Sequence, residues 1–143
     1  MDREILFRGK RTDNGEWVEG FYFCMVHDDG RHVHHFIIPL GTDLNLGTPI
    51  EKVQVEVDPE TVCQYTGLTD RNGRKIWEHD IIRCEGKLFK IDWVPTCAFF
   101  AAHPLKESRT SPCLNVGTMK ISEVVGNVFD NPELLERQEG SKE

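Results

Sequence analysis

Residues Val57 to Ile82, VDPETVCQYTGLTDRNGRKIWEHDII, string a capped turn, a strand, an Asn-Gly hairpin and a second strand together without interruption. Asp58 directly before Pro59 suits the start of a single helical turn. Strand-forming residues flank Thr69-Asp70-Arg71-Asn72-Gly73-Arg74, which predicts a hairpin with Asn72 and Gly73 at the two positive-φ positions of a type I′ turn. Asp80, just ahead of Ile81-Ile82, reads as a strand-entry residue that bonds backbone groups of the adjoining turn.

The same device occurs earlier, where Thr12-Asp13-Asn14-Gly15 separates Ile5 to Gly9 from Trp17 to Phe23. Both segments carry an aromatic, a Gly two residues on, Thr-Asp, Asn-Gly, then Trp followed closely by Glu. An internal duplication and shared turn chemistry both account for that likeness. Further strands are expected at His32 to Ile38, Val53 to Glu56, Val62 to Thr66, Ile81 to Cys84, Leu88 to Val94, Ala98 to Ala102, Leu114 to Ile121 and Val124 to Phe129. Glu85-Gly86-Lys87 joins two of them as another hairpin. A helical turn is expected after Asn131-Pro132, and loops over Gly41 to Pro49 and Pro104 to Pro112. Many short strands with little helix predict a mainly β barrel or sandwich. The expected organisation is an N-terminal β region over 1–56, a β-barrel region over 57–135 and a polar tail over 136–143.

Composition bounds the function. With 143 residues and 38% hydrophobic content the chain can fill a core, and its net charge of -7 is spread rather than blocked. No apolar run approaches a membrane span and the start lacks a secretion signal, so a cytoplasmic protein is expected. Cys24, Cys63, Cys84, Cys97 and Cys113 form an odd, widely spaced set without a Cys-x-x-Cys pair, which favours free thiols over a disulfide framework or a zinc ribbon. No Walker loop, dinucleotide fingerprint, Gly-x-Ser-x-Gly elbow or His-Glu-x-x-His helix is present, so no cofactor is expected.

Three stretches, MDREILFRGKRTDNGEWVEGFYF over Met1 to Phe23, the run from Val57 to Ile82, and VVGNVFDNPELL over Val124 to Leu135, resemble in order the YopX family of bacteriophages and prophage regions. The resemblance implies a mainly β protein with SH3-like barrel character, oligomeric, intracellular in a bacterial host and without an established activity. It also implies glycine where this chain has His79, in Trp77-Glu78-His79-Asp80. A positive φ there would strain His79.

Four constellations carry possible chemistry. His32 and His34 share one strand face, and with His27 across the hairpin they form a candidate ligand cluster for zinc or copper, against a plain reading as interfacial histidines. Cys97 with His103, or Cys84 with His79, contains the elements of a nucleophile pair but no visible orienting group. Glu78 and Asp80 are a carboxylate pair that reads more simply as structural. Arg71, Arg74, Lys75, Arg83, Lys87 and Lys90 interleave with Trp77, Phe89 and Trp93 as a candidate interaction surface for nucleic acid, a role the acidic balance of the chain opposes. The sequence thus favours a non-enzymatic, self-associating protein-interaction module, a homo-oligomer with a phage or host protein as further partner. A nucleic-acid-binding accessory factor is the alternative.

Overall fold

The computed structural model describes residues 2–43, 45, 47–106 and 116–135. The chain divides into two compact units, residues 1–64 and 65–143.

In the first unit, β1 (Phe7–Lys10), β2 (Trp17–Val26), β3 (Val33–Pro39) and β4 (Val55–Glu56) form an antiparallel sheet in the order β4-β3-β2-β1. The first two residues of β5 (Cys63–Thr69) extend it by pairing with Phe7 and Arg8. Leu6, Ile37, Val57 and Cys63 are fully buried here. Asp58 caps a 3₁₀ turn over Pro59–Thr61 as expected, its carboxylate accepting from the Glu60 N–H at 3.0 Å. Gly20 is required by close approach, since a Cβ there would lie 1.9 Å from the Ile38 carbonyl oxygen.

In the second unit, the rest of β5 pairs with β6 (Lys75–Trp77), and β7 (Asp80–Cys84), β8 (Lys87–Val94), β9 (Phe99–Pro104) and β10 (Glu123–Asn127) form a four-stranded antiparallel sheet in the order β10-β7-β8-β9. Ile76, Ile82, Ile91, Ala102, Met119 and Val124 make its core, with Leu68 and Phe89 packed against them. The mainly β class is as expected, but the sheet is open rather than a closed barrel, with β9 and β10 as its edges. Strand β6 is only three residues long, and the β5–β6 register is broken between Tyr65 and Thr69.

Two further expectations are corrected. Among the described residues of the strand expected over Leu114 to Ile121, Val116–Lys120 form a helix, α1. Ser122 closes that turn by donating from both N and Oγ to the Met119 carbonyl, at 3.1 and 2.8 Å, and Met119 is driven into the core. Neither Asn-Gly turn is type I′, because His79, Glu85 and Ala98 are the only described non-glycine residues with positive φ. The loops are longer than two residues. Gly73 follows a type I turn in a three-residue loop closed by the Asp70 N–H bond to the Arg74 carbonyl, so only the glycine needs positive φ. The two positive-φ residues of a type I′ turn stand instead at Glu85-Gly86, between the paired Cys84 and Lys87. The two Asn-Gly hairpins also differ in register, since Tyr65 opposes Trp77 whereas Phe7 opposes Gly20. A helical turn at 132–135 follows Asn131-Pro132 as expected, whereas the tail over 136–143 and Cys113 lie outside the described residues.

Candidate functional site

The β2–β3 hairpin carries the histidine cluster. Its register sets Met25 opposite His34, and the His27 N–H bond to the His32 carbonyl (2.9 Å) closes the connecting loop. Strand alternation places Met25 and His27 on the face that His34 shares. There, Nε2 of His27 lies 2.6 Å from Nε2 of His34, and Nδ1 of His34 lies 2.6 Å from Oε2 of Glu56. An ionised carboxylate only accepts, so the His34 proton sits on Nδ1 and its Nε2 accepts from His27. His32 is engaged elsewhere, its Nδ1 bonded to Asp29. The Arg31 N–H, and after it the His32 ring, hold the Asp29 carboxyl below the usual carboxylate range.

Beside the histidine pair, Met25, His27, His34, Phe36, Glu51 and Gln54 line a cavity of about 260 Å³. Oε1 of Gln54 is buried without a hydrogen-bond partner, a state that costs about 1–3 kcal/mol unless an occupant donates to it. Among the described residues, no three His, Cys, Asp or Glu side chains form a group that could hold a metal ion. Behind the sheet, Tyr22 Oη bonds Nδ1 of His35 at 2.5 Å. Burial, and then Cys24, push the Tyr22 hydroxyl up to about 12.

Four of the candidate basic residues of the second unit are engaged by partners of their own chain. Arg71 pairs with Glu123 at 2.9 Å, Lys90 with Asp92 at 3.4 Å, and Nη1 of Arg74 donates to the Val124 carbonyl at 3.3 Å. Lys75 lies over the Tyr65 ring at 6.0 Å, and Lys87 is exposed. Trp77 is buried, its ring 5.5 Å from that of Tyr65.

The match to the family described as YopX protein spans residues 6–136. The chain belongs to the YopX family. Among curated proteins none matches it. The crystal structure of protein EF1440 from Enterococcus faecalis is similar, with a TM-score of 0.55 and 24% identity over 94% of this chain and 99% of that one, a likeness of fold.

In this YopX-family chain His79 has a φ of 69°, so it holds the left-handed conformation that the resemblance assigns to glycine. The backbone is fixed there by the His79 N–H bond to the Ile91 carbonyl at 2.7 Å and by the Val128 N–H bond to the His79 carbonyl at 3.1 Å. Its ring stands 3.4 Å from Asp92, 3.7 Å from Glu78 and edge-on to Phe129. Burial alone would raise the Asp92 carboxyl, yet His79 and Lys90 hold it low. Glu78 and Asp80 do not act as a pair, because Asp80 is buried and accepts from the Trp77 N–H at 2.8 Å. Burial, then Glu85, push the Cys84 thiol up, the opposite of what a nucleophilic thiolate needs. Cys97 sits exposed in the turn after β8.

The sequence reading named His27 and His34 but not Met25, Glu56 or Gln54. The Met25–His34 pairing could have been counted from the hairpin once its loop was fixed. Glu56 lies in a strand expected over Val53 to Glu56, but its place beside β3 could not be counted, because β4 is only two residues long and is not joined to β3 by a hairpin.

Proposed function

We propose that this YopX-family protein is a self-associating interaction module, and that β2 and β3 carry the contact. Phe21 and Met25 are 56% and 51% exposed, and with the half-buried Phe23, Phe36 and Ile38 they occupy one sheet face. That exposed apolar face is the observation that carries the reading, since such patches mark association sites. Its occupant in this reading is a second copy. Lys10 and Arg8 pair across strands with Trp17 and Glu19 on the same face, so both charge signs flank the apolar residues. A two-fold interface requires such self-complementarity. The free thiols Cys24, Cys63, Cys84 and Cys97 suit a reducing bacterial cytoplasm, where a phage or host protein is a further partner for the same face. The nucleic-acid alternative has less support, because Trp77 is buried and four of the nearby cations, Arg71, Arg74, Lys75 and Lys90, are engaged within the chain, which leaves Arg83 and Lys87 exposed.

Light scattering over a concentration series is expected to give a mass above that of a single chain. Phe21→Asp should shift the protein to monomer while its circular dichroism stays unchanged. A wild-type monomer at high concentration, or an oligomer indifferent to Phe21→Asp, would reject the proposal.

A further inference from the structure

We propose that Met25, His27 and His34 form a binding site for copper(I) on the β2–β3 hairpin. Two imidazole nitrogens already converge, with Nε2 to Nε2 at 2.6 Å, and Met25 is the direct cross-strand neighbour of His34. A tetrahedral metal with bonds of about 2.0–2.1 Å needs its nitrogens roughly 3.3 Å apart, and a trigonal one slightly more. The rings must therefore part by less than about 1 Å, a small rotation for side chains at the surface. His27 is exposed and the His34 side chain is 41% exposed.

Glu56 holds the His34 proton on Nδ1, leaving the Nε2 lone pair directed toward His27. A carboxylate on the far nitrogen is the usual support for a metal-binding imidazole. From the neutral tautomers, metal binding requires the His27 proton to move from Nε2 to Nδ1, so that both rings offer Nε2 as neutral ligands.

Donor softness selects the ion. A thioether with two imidazoles suits copper(I), whereas zinc sites draw on thiolate, imidazole and carboxylate sets. No such set of three is found among the described residues. His32, bonded to Asp29, stands outside the site. All three donors come from one chain, so the site is complete without a second copy, although Met25 also lies on the apolar face proposed for self-association.

The test uses the full chain carrying Cys24→Ser, Cys97→Ser and Cys113→Ser to remove competing thiols. It is titrated anaerobically with copper(I) against a chromophoric chelator. One equivalent is expected, with two nitrogens and one sulfur in the X-ray absorption spectrum. His27→Ala and His34→Ala should each remove stoichiometric binding, and Met25→Leu should weaken it and abolish the sulfur signal. Glu56→Gln should weaken it about tenfold or more, as loss of an orienting carboxylate does. Failure to retain copper would overturn the proposal, as would binding indifferent to His27→Ala. A sulfur signal surviving Met25→Leu would assign the metal to the remaining thiols and overturn it equally.

Discussion

At His79 the backbone and the side chain pull in different directions. Left-handed φ costs an L-residue about 1–2 kcal/mol. The ring recovers part of this, since an edge-on aromatic contact is worth about 0.5–1.5 kcal/mol and an ion-pair contact near the surface under about 1 kcal/mol. Glycine would remove the strain, lose those contacts and add chain entropy to the unfolded state. The terms nearly cancel, so His79→Gly is expected to stay within about 1 kcal/mol of wild type in urea unfolding. His79→Val loses the same contacts and keeps the strain in a β-branched residue, and should fall by at least about 2 kcal/mol. If glycine proved less stable than valine, contacts rather than backbone conformation would govern this position.

Between elements, Asp70 is the main polar tie of the second unit. One carboxylate oxygen accepts from the Asn72 and Arg74 N–H groups, each at 2.9 Å, and the other from the Val124 N–H at 2.9 Å, so the β5–β6 loop is tied to β10. Burial would raise this carboxyl, but those three donors, with the Arg74 charge, hold it below its ordinary value. A depressed folded-state value means stability that is present above the unfolded pKa and lost as pH falls through the folded one. Asp70→Asn should therefore cost about 2–3 kcal/mol at neutral pH by leaving the Val124 N–H facing an amide. The gap from wild type, measured by denaturant unfolding, should shrink as pH drops below the ordinary carboxylate range. A constant gap across pH would separate the cost from the charge. How much of this was legible varies with the source of order. Strands β2, β7 and β8 follow from alternation and turn residues, as does the Asp58 cap, because their causes are local. The Asn-Gly signal located both hairpins but not their turn type, since loop length is set by where the strands pair. Helix α1 reads as a strand in Val116 to Lys120 because burial of Met119, a tertiary effect, outweighs a short pattern. The Asp70 to Val124 bond spans 54 residues and leaves no local trace.

For the whole chain, charge sets the terms of any encounter with nucleic acid. A net charge of -7 opposes long-range attraction to phosphate, so binding would rest on a local cluster of cations. Of the candidates, Arg71 and Lys90 stand against carboxylates, Arg74 donates to a carbonyl and Lys75 lies over Tyr65. A phosphate contact at any of these four would have to displace its partner, and Lys87 and Arg83 stand exposed beside them. Stacking on Trp77 would require unpacking a side chain that is 3% exposed, whereas base-stacking surfaces on single-strand binders are open. A protein with six or more phosphate contacts loses on the order of a thousandfold in affinity between about 50 and 200 mM salt, which gives a sharp signature to look for. The expected outcome is no appreciable binding of single- or double-stranded DNA or RNA at physiological salt by fluorescence anisotropy, and no change when Arg74 and Lys75 are replaced by Ala. Micromolar binding with a steep salt slope, abolished by those two substitutions, would transfer the function to the basic residues of the second unit and away from the apolar face of β2 and β3.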